Sequence, residues 1–480
     1  MKYEFRAHPL MVFRLIRPFW FVLVLPLVKG LVQYLISRRV TGVLGLEIAA
    51  FLLISAVAGL RCASFRLLCG ENSVTVRMGV LFRTCSVIPL SGISSVRAVT
   101  GPIDALCRAV TYQINTEAGK RGKTDFSFEL SRKDSELVSG WLIGAKTQKK
   151  LRFSAVRVAA MAATTSSAVT GMIVAVPIIN KAGKLLGLAL ERMVFDEINH
   201  VSEQTKTLFP PIVNAITLLF LLAYGVSFLY LFVKNLRFEL LLNPHAIEVR
   251  SGLIWRRRAA FRKDSVNVVK IEQTPLMRLF DRYVMKAGVG GYGDTRAETP
   301  VIVPSGRRGE IMLQARTLFP GFESHGRPIR AARGKATRRR FLFPSRLYGL
   351  LLAFVSAVTA LIFPDFGRLI LFLFLVGSAV LVYAGYLGVY ISRFGRVKLG
   401  EACSFRGTKG FRVCEMLCPK EKIGELKITR IAPDRKYGTC NFTVVIRSEA
   451  ADSLTVRHLP LETVKSEIEK NFGIEWSFDL

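Results

Sequence analysis

Five basic side chains lie close together near the middle of the chain, and they have the clearest chemical potential in the sequence. They are Arg256, Arg257, Arg258, Arg262 and Lys263. Guanidinium and ammonium groups bind phosphate and carboxylate groups through charge-assisted hydrogen bonds. The cluster therefore predicts contact with lipid headgroups or with an acidic partner, and a solvated strand face is the alternative that the sequence leaves open.

A second basic segment covers residues 327–346, which include Arg338, Arg339 and Arg340 and contain no acidic residue. It directly precedes a long apolar stretch. Basic residues close to an anionic leaflet contribute about 1 kcal/mol each to membrane binding. The segment is interpreted either as a site of lipid recognition or as an ordinary orientation signal.

Other motifs do not favour catalysis. Residues 288–293 match GxGxxG, but no helical pattern follows, so a hairpin turn is a better interpretation than a dinucleotide site. Cys414 and Cys418 lack the second pair of ligands that a zinc site needs. Because the five histidines are scattered, we expect no metal, no cofactor and no enzymatic activity. Elements that read a nucleic-acid groove or stack on bases are also missing, so no nucleic acid is expected as a partner.

The elements that carry these residues alternate with membrane segments. Hydrophobic residues make up 51% of the chain, and six apolar stretches are long enough to cross a bilayer: residues 19–36, 43–60, 158–179, 208–233, 347–363 and 369–391. Most of the 68 basic residues flank these stretches on one side. By the positive-inside rule, both termini and the large soluble parts are predicted to lie in the cytoplasm of a multi-pass plasma-membrane protein. Residues 180–207 are expected to form a short external amphipathic link.

Lys29 and Glu47 are the two charges inside the first predicted pair of spans. They are interpreted as an intramembrane pair, or else as part of a proton or ion relay. A transporter or channel component built from the six spans is therefore the alternative function.

An internal repeat organises the soluble parts. Residues 65–110 align without gaps onto residues 238–283, and FRLLCGENSVTVRMGVLFR corresponds to FELLLNPHAIEVRSGLIWR. Alternating apolar residues predict a β-meander in each copy, and apolar residues at helical spacing predict a closing helix at 131–143, 309–318 and 461–472. A third, more diverged copy begins near Cys403.

This order of elements resembles the bacterial membrane proteins with pleckstrin-homology-like (PH-like) domains of the YdbT type. The resemblance rests on Arg6-Ala7-His8-Pro9, on the turns at Arg77-Met78-Gly79 and Arg250-Ser251-Gly252, and on the Ile-Pro-Leu at residues 88–90. It implies a barrel-like β-sandwich closed by a helix, and a family without established catalytic residues.

The expected fold is therefore a multi-domain α+β membrane protein with six transmembrane helices in three hairpins, each followed by a PH-like domain. The predicted segments are an N-terminal segment with hairpin 1 (1–64), PH-like domain 1 (65–146), hairpin 2 with the external link (147–236), PH-like domain 2 (237–326), the polybasic linker (327–346), hairpin 3 (347–392) and the diverged PH-like domain 3 (393–480). The expected function is a non-catalytic scaffold that binds anionic inner-leaflet lipids, a membrane protein with a related PH-like module, or both. A role in the cell envelope is implied only by the resemblance.

Overall fold

The structure is a computed structural model that describes residues 3–16, 42–79, 82–116, 125–143, 149–167, 196, 211–290, 299–331, 335–430, 434–435, 437–447 and 452–473. The chain forms two compact units. Unit 1 comprises Met1–Arg152, Arg237–Val266 and Val289–Pro300, and unit 2 comprises Phe153–Leu236, Asn267–Gly288 and Val301–Leu480. Each unit is a mixture of antiparallel sheets and helices.

The first sheet of unit 1 begins before the first apolar stretch and continues after it. Its strands and the helices between them are β1 (Tyr3–Arg6), α1 (Leu10–Ile16), α2 (Gly42–Ser64), β2 (Arg66–Cys69), β3 (Ser73–Met78) and β4 (Thr84–Pro89). The strand order is β1-β2-β3-β4, and Tyr3 pairs with Cys69. The β3–β4 turn requires glycine at position 79, where φ is +111° and a Cβ would stand 1.9 Å from the Phe82 carbonyl oxygen.

The second sheet of unit 1 combines strands from two repeats. Its elements are β5 (Ile93–Thr100), α3 (Pro102–Leu106), β6 (Ala109–Thr116), β7 (Phe126–Ser131), α4 (Arg132–Ile143), β8 (Lys149–Arg152), β9 (Glu239–Leu242), β10 (Ala246–Ser251) and β11 (Arg256–Arg262). The seven strands follow the order β7-β6-β5-β11-β10-β9-β8. Phe65, Tyr112 and Phe128 are fully buried in the core beneath these strands.

We call the pairing of β5 with β11 the first seam. It runs antiparallel from Ser95 opposite Phe261 to Thr100 opposite Arg256. Because β5 belongs to the first repeat and β11 to the second, this seam joins two repeats through backbone hydrogen bonds.

Unit 2 contains a second antiparallel sheet built from two repeats, and the longest helices. Its elements are α5 (Ala155–Thr165), α6 (Pro211–Asn235), β12 (Val266–Gln273), α7 (Pro275–Leu279), β13 (Tyr283–Val289), β14 (Val301–Gly306), α8 (Arg308–Leu318), β15 (Pro328–Arg330), α9 (Lys335–Ile362), α10 (Gly367–Phe394), β16 (Arg396–Lys398), β17 (Ala402–Lys409), β18 (Arg412–Pro419), β19 (Ile423–Thr429), β20 (Thr439–Ile446), β21 (Asp452–Pro460) and α11 (Leu461–Phe472). Seven strands follow the order β14-β13-β12-β18-β17-β16-β15, and β19-β20-β21 form a separate sheet.

The second seam is the pairing of β12 with β18, from Val269 opposite Leu417 to Gln273 opposite Val413. It joins the second repeat to the third. The third repeat has a tight β17–β18 turn at Gly410, where φ is +59°, so its meander is more regular than its sequence indicates.

Three described helices are long and apolar enough to cross a membrane: Thr217–Asn235, Arg338–Ile362 and Leu369–Phe394. They match three of the six predicted spans. The predicted span 43–60 lies within α2, only part of the span 158–179 is described, as α5, and residues 19–36 lie outside the described residues. The described part of the chain therefore supports three spans and not the full set of six in three hairpins. The basic residues 338–340 belong to the first turns of α9.

The helix that follows each of β1, β8 and β15 carries an arginine that forms an ion pair. Arg14 on α1 binds Glu129 at 2.8 Å, and Arg157 on α5 binds Glu310. Arg340 on α9 lies 3.6 Å from Asp434, which is fully buried.

Candidate functional site

A cavity of about 360 Å³ lies beside the first seam. Its walls come from β5, β6, α3, α4, β11 and the β10–β11 turn, so residues of two repeats complete it. Four arginines line it, and the lining residues include one acidic side chain, Glu136. The volume falls within the range of roughly 300–1,000 Å³ that is typical of small-ligand pockets.

The register of the first seam places the side chains of Arg256 and Arg258 at this cavity. Arg256 pairs with Thr100 and Arg258 with Ala98, and all four residues line the cavity. Successive side chains of a strand point to opposite faces. Arg257 therefore lies on the opposite face of β11, on the side of the buried Phe261.

Arg108 and Arg132 complete the set of four. Arg108 has a φ of +54°, a backbone conformation that costs an L-residue about 1–2 kcal/mol. The corresponding turn before β13 carries Asp281, with φ +47°, and the one before β20 carries Gly438, with φ +60°, where glycine avoids this cost. All three repeats share this backbone conformation, so it belongs to the repeat, and Arg108 adds a positive charge to the cavity from that turn.

Glu136 neutralises only part of this charge. Its carboxylate lies 3.6 Å from Nε of Arg132, and both side chains are more than half exposed. Such an exposed pair contributes little to stability. The cavity therefore has an excess of positive charge, which suits a phosphate or carboxylate group.

Exposed apolar side chains line the cavity or lie on α3, whose Ala105 is part of the lining. Leu253 and Ile254 line it from the β10–β11 turn, while Ile103 and Leu106 are exposed on α3, Leu106 by 85%. A basic cavity with exposed apolar side chains beside it matches an amphiphilic ligand better than a free inorganic anion.

The structure divides the predicted basic cluster. Arg256 and Arg258 enter the cavity, but Arg262 donates to the Ser91 carbonyl at 2.9 Å and lies 3.3 Å from Asp264. Lys263 donates to the Pro244 carbonyl at 3.0 Å. These two side chains bridge neighbouring backbone segments and are not among the cavity residues.

The second predicted basic set is also divided. Arg338 and Arg339 are exposed at the start of α9. Arg340 donates to Thr439 Oγ1 at 2.9 Å and stacks on the Tyr437 ring, so it is engaged within the third repeat. Lys29 lies outside the described residues, as does the side chain of Glu47, so their pairing stays a prediction.

A smaller cavity of about 220 Å³ lies beside the second seam. Glu415 lines it and binds both Arg308 and Arg396, at 2.7 and 2.8 Å. Arg316, also in its lining, binds Glu323 at 2.9 Å. Most of the charge in this cavity is therefore neutralised within the protein, unlike the charge in the cavity of the first seam.

The other motifs acquire no chemical partners among the described residues. No group of three His, Cys, Asp or Glu side chains there could hold a metal ion. Cys414 and Cys418 are buried in β18, and burial raises the pKa of both thiols. Gly288 and Val289 of the GxGxxG match belong to β13, and residues 291–293 lie outside the described residues.

Comparison with known proteins gives one match. The family model described as bacterial PH domain matches residues 21–146 and 191–305, which together make up half of the chain. No curated protein matches the chain. No solved structure matches it either.

Proposed function

The chain belongs to the bacterial PH domain family, and from this premise we propose that it is a non-catalytic membrane scaffold that binds the anionic headgroup of an inner-leaflet lipid. The observation that carries the proposal is the cavity of the first seam. Four guanidinium groups face one carboxylate there, beside exposed apolar side chains. A lipid phosphate would meet the guanidinium groups, and its glycerol and acyl carbons would meet the apolar rim.

The sheet topology supports a hairpin of spans in each repeat. β1 pairs with β2, β8 with β9, and β15 with β16, and an apolar segment separates the two strands of each pair. A chain that leaves a sheet and returns to it must cross a membrane an even number of times. Six spans in three hairpins, alternating with PH-like domains as in proteins of the YdbT type, therefore belong to this proposal.

The position of basic residues supports a cytoplasmic location for the sheets. Arg338 and Arg339 are exposed where α9 begins, just before its apolar part. At this level they would contact anionic headgroups, in addition to the lipid held in the cavity. Both termini are then cytoplasmic, as the positive-inside rule predicts.

A protein partner with a related PH-like module is the second part of the scaffold proposal. Lipid binding would hold the modules near the bilayer, where membrane tethering raises the effective concentration of a membrane-bound partner. In this proposal the described residues serve binding and not catalysis.

The test is titration of the detergent-solubilised full chain with short-chain phosphatidylglycerol and, as the neutral comparison, phosphatidylcholine. Hydrogen bonds to charged groups are worth about 1.5–3 kcal/mol each. We therefore expect the double variant Arg256→Gln/Arg258→Gln to bind phosphatidylglycerol at least about 100-fold more weakly.

The matched control is Arg257→Gln, because Arg257 lies on the other face of the same strand. It should bind like the unchanged protein. Equal affinity for the two lipids, or equal loss in the control and the double variant, would contradict lipid binding by this cavity. If the double variant instead lost a protein recovered by crosslinking in membranes, the cavity would serve the partner.

A further inference from the structure

Both seams are built from the same pair of strand positions. Counted from β1, β8 and β15, each repeat has seven described strands. In each seam the fifth strand of one repeat, which follows a short turn, pairs with the fourth strand of the next: β5 with β11, and β12 with β18. Both pairings are antiparallel. The repeats therefore associate by extending each other's sheets.

The two seams also share one register. Arg258 lies opposite Ala98, and Glu415 lies opposite Ile271. Arg258 and Glu415 are each four residues before the end of their strand, and Ala98 and Ile271 are each five residues after the start of theirs. One rule of pairing thus describes both seams.

The fourth strand of the first repeat and the fifth strand of the third repeat take part in neither seam. β4 is the fourth strand of the first repeat, and β19 follows the short turn at Lys420–Lys422 in the third. Among the described residues, each is the last strand of its sheet. Strand edges of this kind present unpaired N–H and C=O groups to a further strand.

Burial distinguishes these two strands from their counterparts in the seams. One residue of β4 is buried, Ile88, whereas six of the eight residues of β18 are. In β19 only Ile428 is buried, whereas the first six residues of β5 all are. Val87 on β4 is 64% exposed.

Features that often protect an edge do not prevent pairing in this fold. Pro89 ends β4, but Pro419 ends β18 in the second seam in the same way. Lys427 lies on β19, but Lys270 at the corresponding place of β12 is buried within the second seam, where it binds Asp452. The free strands therefore carry side chains that the seams already accommodate.

The turn before β4 carries a further sign of a missing neighbour. Phe82 corresponds to Trp255 in the repeat alignment. Cδ1 of Trp255 lies 3.7 Å from where a Cβ added to Gly101 would be. The Trp255 side chain is 39% exposed. Phe82 is 87% exposed.

We propose that β4 of one copy of this protein pairs with β19 of a second copy in the register of the two seams, with Cys85 opposite Ile428. The second copy is the occupant because the chain itself carries both complementary strand positions. Head-to-tail pairing of this kind gives rings or open chains of subunits. The inference rests on strand pairing alone and is independent of lipid binding.

Disulfide crosslinking in native membranes tests this register. The exposed Cys85 and Cys107 are first replaced by serine. One copy then carries Thr84→Cys with one affinity tag, and a co-expressed copy carries Thr429→Cys with another; both threonines are exposed and would lie directly opposite each other. We expect an added oxidant to give a product of twice the chain mass that carries both tags.

The matched control pairs Thr84→Cys with Glu425→Cys, which lies four residues and thus about 13 Å further along β19. The proposal would be overturned if Thr429→Cys gave no crosslinked dimer, or if Thr429→Cys and Glu425→Cys gave equal amounts of it.

Charge provides a second measurement that does not depend on oxidation. Thr84→Lys/Thr429→Lys should reduce the mass of the solubilised assembly, Thr84→Lys/Thr429→Glu should restore it, and a mass that is the same in both variants would equally overturn the proposal.

Discussion

Arg258 and Glu415 occupy the same place in two successive seams, yet they carry opposite charges. Arg258 lies opposite Ala98 beside three other arginines, and Glu415 lies opposite Ile271 between Arg308 and Arg396. Most of the charge in the second seam is thus neutralised by its own side chains, while the first has a larger excess of positive charge. The repeats share a fold but differ in what their seams can bind.

This difference predicts the effect of Arg258→Glu. A carboxylate at position 258 would pair with the neighbouring guanidinium groups, as Glu415 does in the second seam. We expect binding of phosphatidylglycerol to fall by at least about 10-fold, and by more than in Arg258→Gln, because one charge-assisted bond is lost and a repulsive charge is added. Isothermal titration calorimetry measures this, with Arg258→Gln as the intermediate case. An affinity for Arg258→Glu equal to that of Arg258→Gln would show that charge at this place does not control binding.

The backbone at Arg108 gives a second prediction. Because its φ is +54°, Arg108→Gly should raise the free energy of unfolding by up to about 1 kcal/mol, and Arg108→Val should lower it by about 1–2 kcal/mol. Both variants remove the guanidinium group, so both should weaken lipid binding to a similar extent. Melting temperature and lipid titration of each variant check the two effects separately. If lipid affinity instead rose in Arg108→Gly and fell in Arg108→Val, in step with stability, Arg108 would act only through the fold.

Local patterns in the sequence predicted the repeated elements well. The closing helices expected at 131–143, 309–318 and 461–472 are α4, α8 and α11, within one residue at each end. Alternation and helical spacing are local properties, so they can be detected without knowledge of the fold. The apolar stretch 369–391 likewise lies within α10, and the match to the bacterial PH domain confirms the PH-like part of the resemblance.

Pairing between distant segments could not be predicted in this way. β1, β8 and β15 have only three or four residues and no distinctive pattern, and each pairs across an apolar segment. The cavity was missed for a related reason. Arg256 and Arg258 stood out as a charge cluster, but Arg108 and Arg132 lie more than 120 residues earlier, in another repeat, and only the first seam brings all four to the cavity. Strand alternation in β11 was the available signal that Arg257 points away from Arg256 and Arg258.

His458 predicts a dependence of stability on pH. Burial lowers its pKa below the ordinary value of 6.5, although Nδ1 lies 2.8 Å from Asp434; Arg340 and Arg457 also disfavour its charged form. Below pH 6.5 the unfolded chain therefore takes up a proton that the folded protein resists, and stability should fall. Melting curves between about pH 7.5 and about pH 5.5 should show a smaller fall for His458→Gln. An identical pH dependence in the variant would assign the effect to other groups.

The buried pair Lys270–Asp452 predicts the cost of disturbing the second seam. Their side chains are 5% and 3% exposed, and they join β12 to β21. Removal of one partner leaves an uncompensated buried charge, so Lys270→Met should lower the free energy of unfolding by about 3–5 kcal/mol. The double variant Lys270→Met/Asp452→Leu should recover most of this loss, because two apolar side chains can replace a buried ion pair at little cost. Denaturation of the solubilised protein measures both variants. Equal losses in the single and double variants would mean that the seam needs the ion pair itself and not merely the absence of an unpaired charge.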